Sequence, residues 1–209
     1  MISILISLMK SKIKKIVYFG DSITYALGHD HKGVKIKDRW SNLVDLKLKH
    51  FEKKGIFTYS SNLGVNGDTT RLGLLRINDV YKFKPDLVIM QFGYNDCNFW
   101  ITDSGYPRVN IDSFKFNLIE MINKFKINKV KQIILCTNYL MPIHAKKLNG
   151  NSWNDNIKKY NEIIRKVSKQ KNIHLVDIEK KFTDRSKKNY LNENGKWLHL
   201  SKTGNYIYF

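Results

Sequence analysis

Between Pro85 and Gly93 the chain runs Asp-Leu-Val-Ile-Met-Gln-Phe, and from Leu87 to Phe92 it is apolar except at Gln91. A strand with one wet face alternates apolar and polar residues, whereas an unbroken apolar run belongs to a strand covered on both faces. Such a strand demands helices above and below it, which restricts the chain to a layered α/β architecture. Ile16 to Phe19, Ile56 to Leu63, Lys131 to Thr137 and Ile173 to Ile178 read as further strands. Helical spacing fills the intervals. Trp40, Leu43, Val44, Leu48 and Phe51 mark a helix over Arg39–Phe51, closed by Gly55. Phe114, Leu118, Met121, Ile122 and Phe125 mark one over Ile111–Phe125, and Ile157, Tyr160, Ile163, Ile164 and Val167 another over Asn154–Lys169. Thr69 or Thr70 opens a short helix through Leu75 and Ile77, and Ser201 caps a last one before Phe209. Strands alternating with helices predict a parallel sheet between two helical layers, an α/β/α sandwich of five strands.

The 209 residues suit one domain over 1–209, with 1–12 read as an extension outside the core. Met1 to Met9 is apolar, but about nine residues are too few to span a bilayer. The lysines follow that run rather than precede it, which is not the layout of a secretory signal. Cys97 and Cys136 fit no paired motif, so a reducing, cytoplasmic setting is expected. The net charge is +19, from 37 Lys and Arg against 18 Asp and Glu. The basic residues are dispersed, so no dedicated nucleic-acid partner is expected, although an acidic substrate would be drawn to such a surface.

In a parallel sheet every strand's carboxyl end opens on one edge, where ligands bind. Three successive strands end there in polar, glycine-bearing turns: Gly20-Asp21-Ser22, Gly64-Val-Asn-Gly67 and Gly93-Tyr-Asn-Asp96. Ser22 alone could equally cap a helix or act as a nucleophile. Three such turns on one edge, offering N–H groups and an amide side chain, form a plausible oxyanion pocket. The candidate base is His199, in Trp197-Leu-His-Leu-Ser201, after the last strand.

These blocks resemble those of the SGNH, or GDSL-type, hydrolases. Gly20-Asp21-Ser22 is similar to that family's nucleophile block, and Asn66-Gly67-Asp68-Thr69 to the block whose glycine N–H lines the oxyanion hole. Gly93-Tyr94-Asn95-Asp96 resembles the block whose asparagine completes the hole, and Leu198-His199-Leu200-Ser201 the block that supplies the base. The resemblance runs from residue 16 to 204 in the family's order. It implies a flavodoxin-like fold, catalytic Ser22 and His199, an oxyanion hole of Ser22, Gly67 and Asn95, and no metal or other cofactor. One position departs from the pattern: Lys196 stands where the family usually has the aspartate that orients the histidine. A lysine cannot accept an imidazole N–H. A backbone carbonyl near Lys196, an acid such as Glu193, or loss of activity would each answer, and the first is expected.

Asp21 and Asp68 read as turn-formers, and Asp96 as a residue that shapes its own turn. His29, His31, His50, His144 and His174 carry no motif. No H-E-x-x-H or zinc-spaced Cys/His cluster occurs, and G-x-S-x-G is absent. Phe99, Trp100 and Tyr106 are candidates for a pocket wall, and the loops Cys97–Asn110 and Tyr139–Ser152 for setting specificity. The expected function is hydrolysis of a short acyl ester, acetyl foremost, on a small molecule or glycan through an acyl-serine. An O-acyltransferase would use the same residues, and a non-catalytic anion- or nucleic-acid-binding module is the alternative of another class.

Overall fold

The structure, a computed structural model, describes residues 13–26, 34–99, 104–141, 147–148, 151–183, 190–191 and 198–209. Five parallel strands form the main sheet: β1 (Ile13–Gly20), β2 (Phe57–Gly64), β3 (Leu87–Gln91), β4 (Gln132–Cys136) and β7 (His174–Val176). Their order across the sheet is β2-β1-β3-β4-β7. A two-stranded hairpin, β5 (Lys147–Leu148) with β6 (Asn151–Ser152), stands apart from it. β3 is buried at every position, as its apolar run requires. β1 is buried from Ile16 to Gly20, so the two central strands are covered on both faces.

The helices are α1 (Ser22–Tyr25), α2 (Trp40–Leu48), α3 (Thr70–Leu75), α4 (Ile77–Lys82), α5 (Tyr94–Cys97), α6 (Ile111–Ile127), α7 (Trp153–Lys171), α8 (Ile178–Thr183) and α9 (Lys202–Tyr208). α6 packs on α7 and α3 in one layer, while α9 packs on α2 and α8 in the other. The chain thus adopts the α/β/α sandwich. The helix ends follow local chemistry. Asn110 caps α6 through Ser113 N, Ser152 and Asp155 make a capping box on α7, and Ser201 caps α9 through Gly204 N. α6 then turns Phe114, Leu118, Met121, Ile122 and Phe125 inward on one face.

Strand order decides where a site can form. From β1 the chain crosses to β2 on one side and then returns to β3 on the other. The split between those two excursions opens a crevice at the carboxyl ends of β1 and β3. Gly20 pairs with Gln91 at that point. A methyl group on Gly20 would lie 2.2 Å from the Gln91 carbonyl oxygen, so only glycine lets the two strands end so close together.

Candidate active site

α1 begins at the crevice, directly after β1. Asp21 caps it, with Oδ1 accepting the Ile23 N–H at 2.8 Å, and Ala26 closes it in the left-handed region at φ 51°. The carbonyls of this single turn are used by side chains from elsewhere. Trp40 Nε1 donates to Ile23 O at 2.9 Å, and Asn62 Nδ2 donates to Thr24 O at 2.7 Å. Ser22, the first helical residue, is therefore held by bonds on both sides of it.

His199 arrives from the far end of the chain. The Tyr139 hydroxyl donates to Leu198 O at 2.6 Å, Leu200 bridges to Leu191, and Ser201 N donates to Tyr190 O at 2.9 Å. These contacts fix the residues on either side of the imidazole. They bring His199 Nε2 to 2.9 Å from Ser22 Oγ, across 177 residues of sequence. An alcohol in hydrogen-bond contact with an imidazole is the pair that activates a serine for attack on a carbonyl. Lys196 and Glu193, on which the orientation of the imidazole was expected to depend, lie outside the described residues.

The other two turns supply donors. Gly67 adopts φ 79°, a left-handed conformation that suits glycine. Asn95 donates one amide hydrogen to Asp68 O at 2.9 Å, which orients the side chain and leaves its second N–H for a ligand. Among the described residues, neither the Ser22 N–H nor the Gly67 N–H is used in a hydrogen bond. The structure thus brings together the turns that carry Ser22, Gly67, Asn95 and His199. Of the expected wall residues, Phe99 turns inward with 3% of its surface exposed, Tyr106 is exposed at 74%, and Trp100 lies outside the described residues.

Several residues that support this arrangement were not singled out from the sequence. Gln91 sits at the centre of a buried polar network. Its Nε2 donates to Asp21 Oδ2 at 3.2 Å and to Asn138 Oδ1 at 3.0 Å, and its Oε1 accepts from Thr24 Oγ1 at 3.1 Å. One polar residue in an otherwise apolar strand was the visible signal for it. Asn138 continues the network by donating to Phe92 O at 2.9 Å. Arg76 ties the ends of β1 and β2 to the Asp68 turn: it pairs with Asp68 and donates to Leu63 O at 2.8 Å and Gly20 O at 3.0 Å. Its guanidinium also lies 4.5 Å from the Phe19 ring centroid. Tyr94 bonds through its hydroxyl to Tyr139 O, and the rings of Tyr139 and Phe182 stack 5.0 Å apart. Tyr139 thus connects the Asn95 turn, through Tyr94, to the segment that carries His199, through Leu198 O.

Burial pushes the Asp21 carboxyl up to about 8, outweighing the Ile23 and Gln91 donors that pull it down. Near neutral pH this acid is therefore largely uncharged. Burial likewise raises Asp96 to about 6, against two hydrogen bonds from Thr70. Both cysteines are free and buried, and burial raises both thiols, which makes them poor nucleophiles. Among the described residues no cluster of His, Cys, Asp or Glu could hold a metal ion, and no helix is long and apolar enough to cross a membrane.

Comparison with known proteins identifies the family. The model of the GDSL-like lipase/acylhydrolase family matches residues 18–207. The chain belongs to that family and is an SGNH-type ester hydrolase. Among solved structures it is similar to the lipase/acylhydrolase of Enterococcus faecalis, at 30% identity and a TM-score of 0.68, covering 93% of this chain and 90% of that one. It is also similar to the acetyl xylan esterase AlAXEase, at 25% identity and a TM-score of 0.70, covering 93% and 96%. A relative from Bacillus subtilis, the uncharacterized lipoprotein YqeF, is 28% identical over 186 residues, 81% of this chain and 72% of that protein.

Proposed function

We propose that the chain is a single catalytic domain that removes a short acyl group, acetyl foremost, from an oxygen of a small molecule or glycan. The observation that carries this reading is the 2.9 Å contact between Ser22 Oγ and His199 Nε2. His199 takes the Ser22 proton as Oγ attacks the ester carbonyl, then returns it to the departing alcohol. The Ser22 and Gly67 N–H groups and the Asn95 amide receive the oxyanion. Water repeats the sequence on the acyl-serine. We assign the orientation of His199 to a main-chain carbonyl near Lys196, giving a Ser-His dyad, because the lysine side chain has no acceptor. The likeness to an acetyl xylan esterase supports an acetyl group on a carbohydrate. The two free, buried thiols support a cytoplasmic location, and cell fractionation tests this against the membrane attachment that the Bacillus lipoprotein suggests.

A chromogenic acetyl ester tests the reaction. The wild-type protein should hydrolyse it and Ser22→Ala should not, while turnover by that variant would remove Ser22 from the mechanism. Product analysis with and without a sugar acceptor tests for transfer: free acetate in both supports hydrolysis, and an acetylated acceptor supports transfer.

A further inference from the structure

Gln91 ends β3, and Asn138 follows β4 by two residues; the two strands are neighbours in the sheet. Both amides are buried, and each of their side-chain polar atoms is bonded. Gln91 Nε2 donates to Asn138 Oδ1 at 3.0 Å. Turning Gln91 over would set its oxygen against that acceptor, so the pair has one orientation.

Each amide holds a different turn of the site. Gln91 grips both sides of Ser22. Its main-chain oxygen accepts the Asp21 N–H at 3.3 Å, its Nε2 donates to Asp21 Oδ2, and its Oε1 accepts from Thr24 Oγ1. Asn138 grips the turn that leads to Asn95. Its Nδ2 donates to Phe92 O, and a methyl group on Gly93 would lie 2.5 Å from that nitrogen. The start of the Asn95 turn therefore rests against the Asn138 amide. Behind the pair stands Asn161 of α7, which accepts the Asn138 N–H at 2.8 Å and donates to Asn138 O at 2.7 Å. Asn161 also donates to Glu179 Oε2 at 3.0 Å, and Arg165 holds that oxygen at 2.7 Å. The pair is thus anchored to α7 and α8.

We propose that the Gln91–Asn138 pair is a positioning device that sets the spacing between Ser22 and the Asn95 amide, so that nucleophile and oxyanion donor meet at one ester carbonyl. Groups that act on one reacting centre must be held to within about 0.5 Å by neighbours whose own rotamers are locked. Gln91 and Asn138 act through Asp21, Thr24 and Gly93 rather than on the reacting atoms. The proposal rests on the ester-hydrolysis reading above.

The test is steady-state hydrolysis of an acetyl ester, counted per phosphonate-reactive Ser22 so that unfolded protein does not enter the rate. Gln91→Met keeps the length of the side chain and removes its donors and acceptor. It should lower kcat by about 10- to 100-fold with little change in KM. In an Asn95→Ala background the same substitution should cost much less, because the donor it aligns is already gone. Gln91→Glu is closer in shape and supplies a second readout. Protonated, the introduced carboxyl keeps one donor and one acceptor; ionised, it has no donor and faces Asp21 Oδ2 and Asn138 Oδ1. The other charges around it are Asp68 and Asp96, which act on Asp21, and Glu179 paired with Arg165 behind Asn161. These and His199 are common to both proteins, so the ratio of variant to wild-type kcat isolates the new group. That ratio should fall from about pH 5 to about pH 9. Turnover by Ser22→Ala would overturn the esterase reading and this proposal together. Wild-type kcat in Gln91→Met, a loss confined to KM, an equal cost with and without Asn95, or a flat ratio for Gln91→Glu would overturn this proposal alone.

Discussion

Asn95 shows how little of a side chain's role lies in the side chain itself. One of its amide hydrogens is committed to Asp68 O at 2.9 Å, and that bond aims the other. Replacing Asn95 with alanine should lower kcat by about 10²–10³ with little change in KM, because the lost donor acts on charge present only in the transition state. Steady-state kinetics on an acetyl ester measures this, and a loss confined to KM would contradict it. The turns carrying Ser22, Gly67 and Asn95 stand out in the sequence because each sets glycine beside a polar residue, and His199 stands out because its block follows the last strand. Arg76 and Tyr139 were not legible. Arg76 acts on Gly20, 56 residues away, and Tyr139 on Leu198, 59 away, and neither is marked by its immediate neighbours.

At the scale of elements, the strands and long helices were readable because burial imposes a period on them and caps end them. Thr69 caps α3 and Ser201 caps α9, as their sequences suggest. α8 and the β5–β6 hairpin escaped notice, since six residues and two pairs of residues are too short to show a period. The join between β1 and α1 has a measurable signature. Asp21 titrates at about 8 in the folded protein, well above an ordinary aspartate. Between about pH 4 and pH 8 the folded state therefore holds a proton that the unfolded state has released. Raising the pH through that window favours unfolding, by up to about 1.4 kcal/mol per pH unit for this group. Asp21→Asn keeps a capping acceptor and removes the titration. In urea denaturation the wild-type protein should lose stability relative to this variant from pH 5 to pH 8, and parallel pH profiles would contradict the assignment.

At the scale of the whole molecule, the sheet order does most of the chemical work. The chain leaves β1 for β2, returns to β3 and finishes beyond β7, so turns far apart in sequence open on one crevice. The charge of +19 is a property of the surface and says nothing of this arrangement; it bears on which substrates approach. The fold brings His199 to Ser22 from 177 residues away, and on the proposed mechanism that contact makes Ser22 the nucleophile. The direct measurement is the intact mass of the protein after treatment with a serine-reactive phosphonate, with peptide mapping of the adduct. One adduct per chain is expected, on Ser22, absent from Ser22→Ala and formed far more slowly by His199→Ala. An unmodified wild-type protein, or labelling at the same rate without His199, would contradict it.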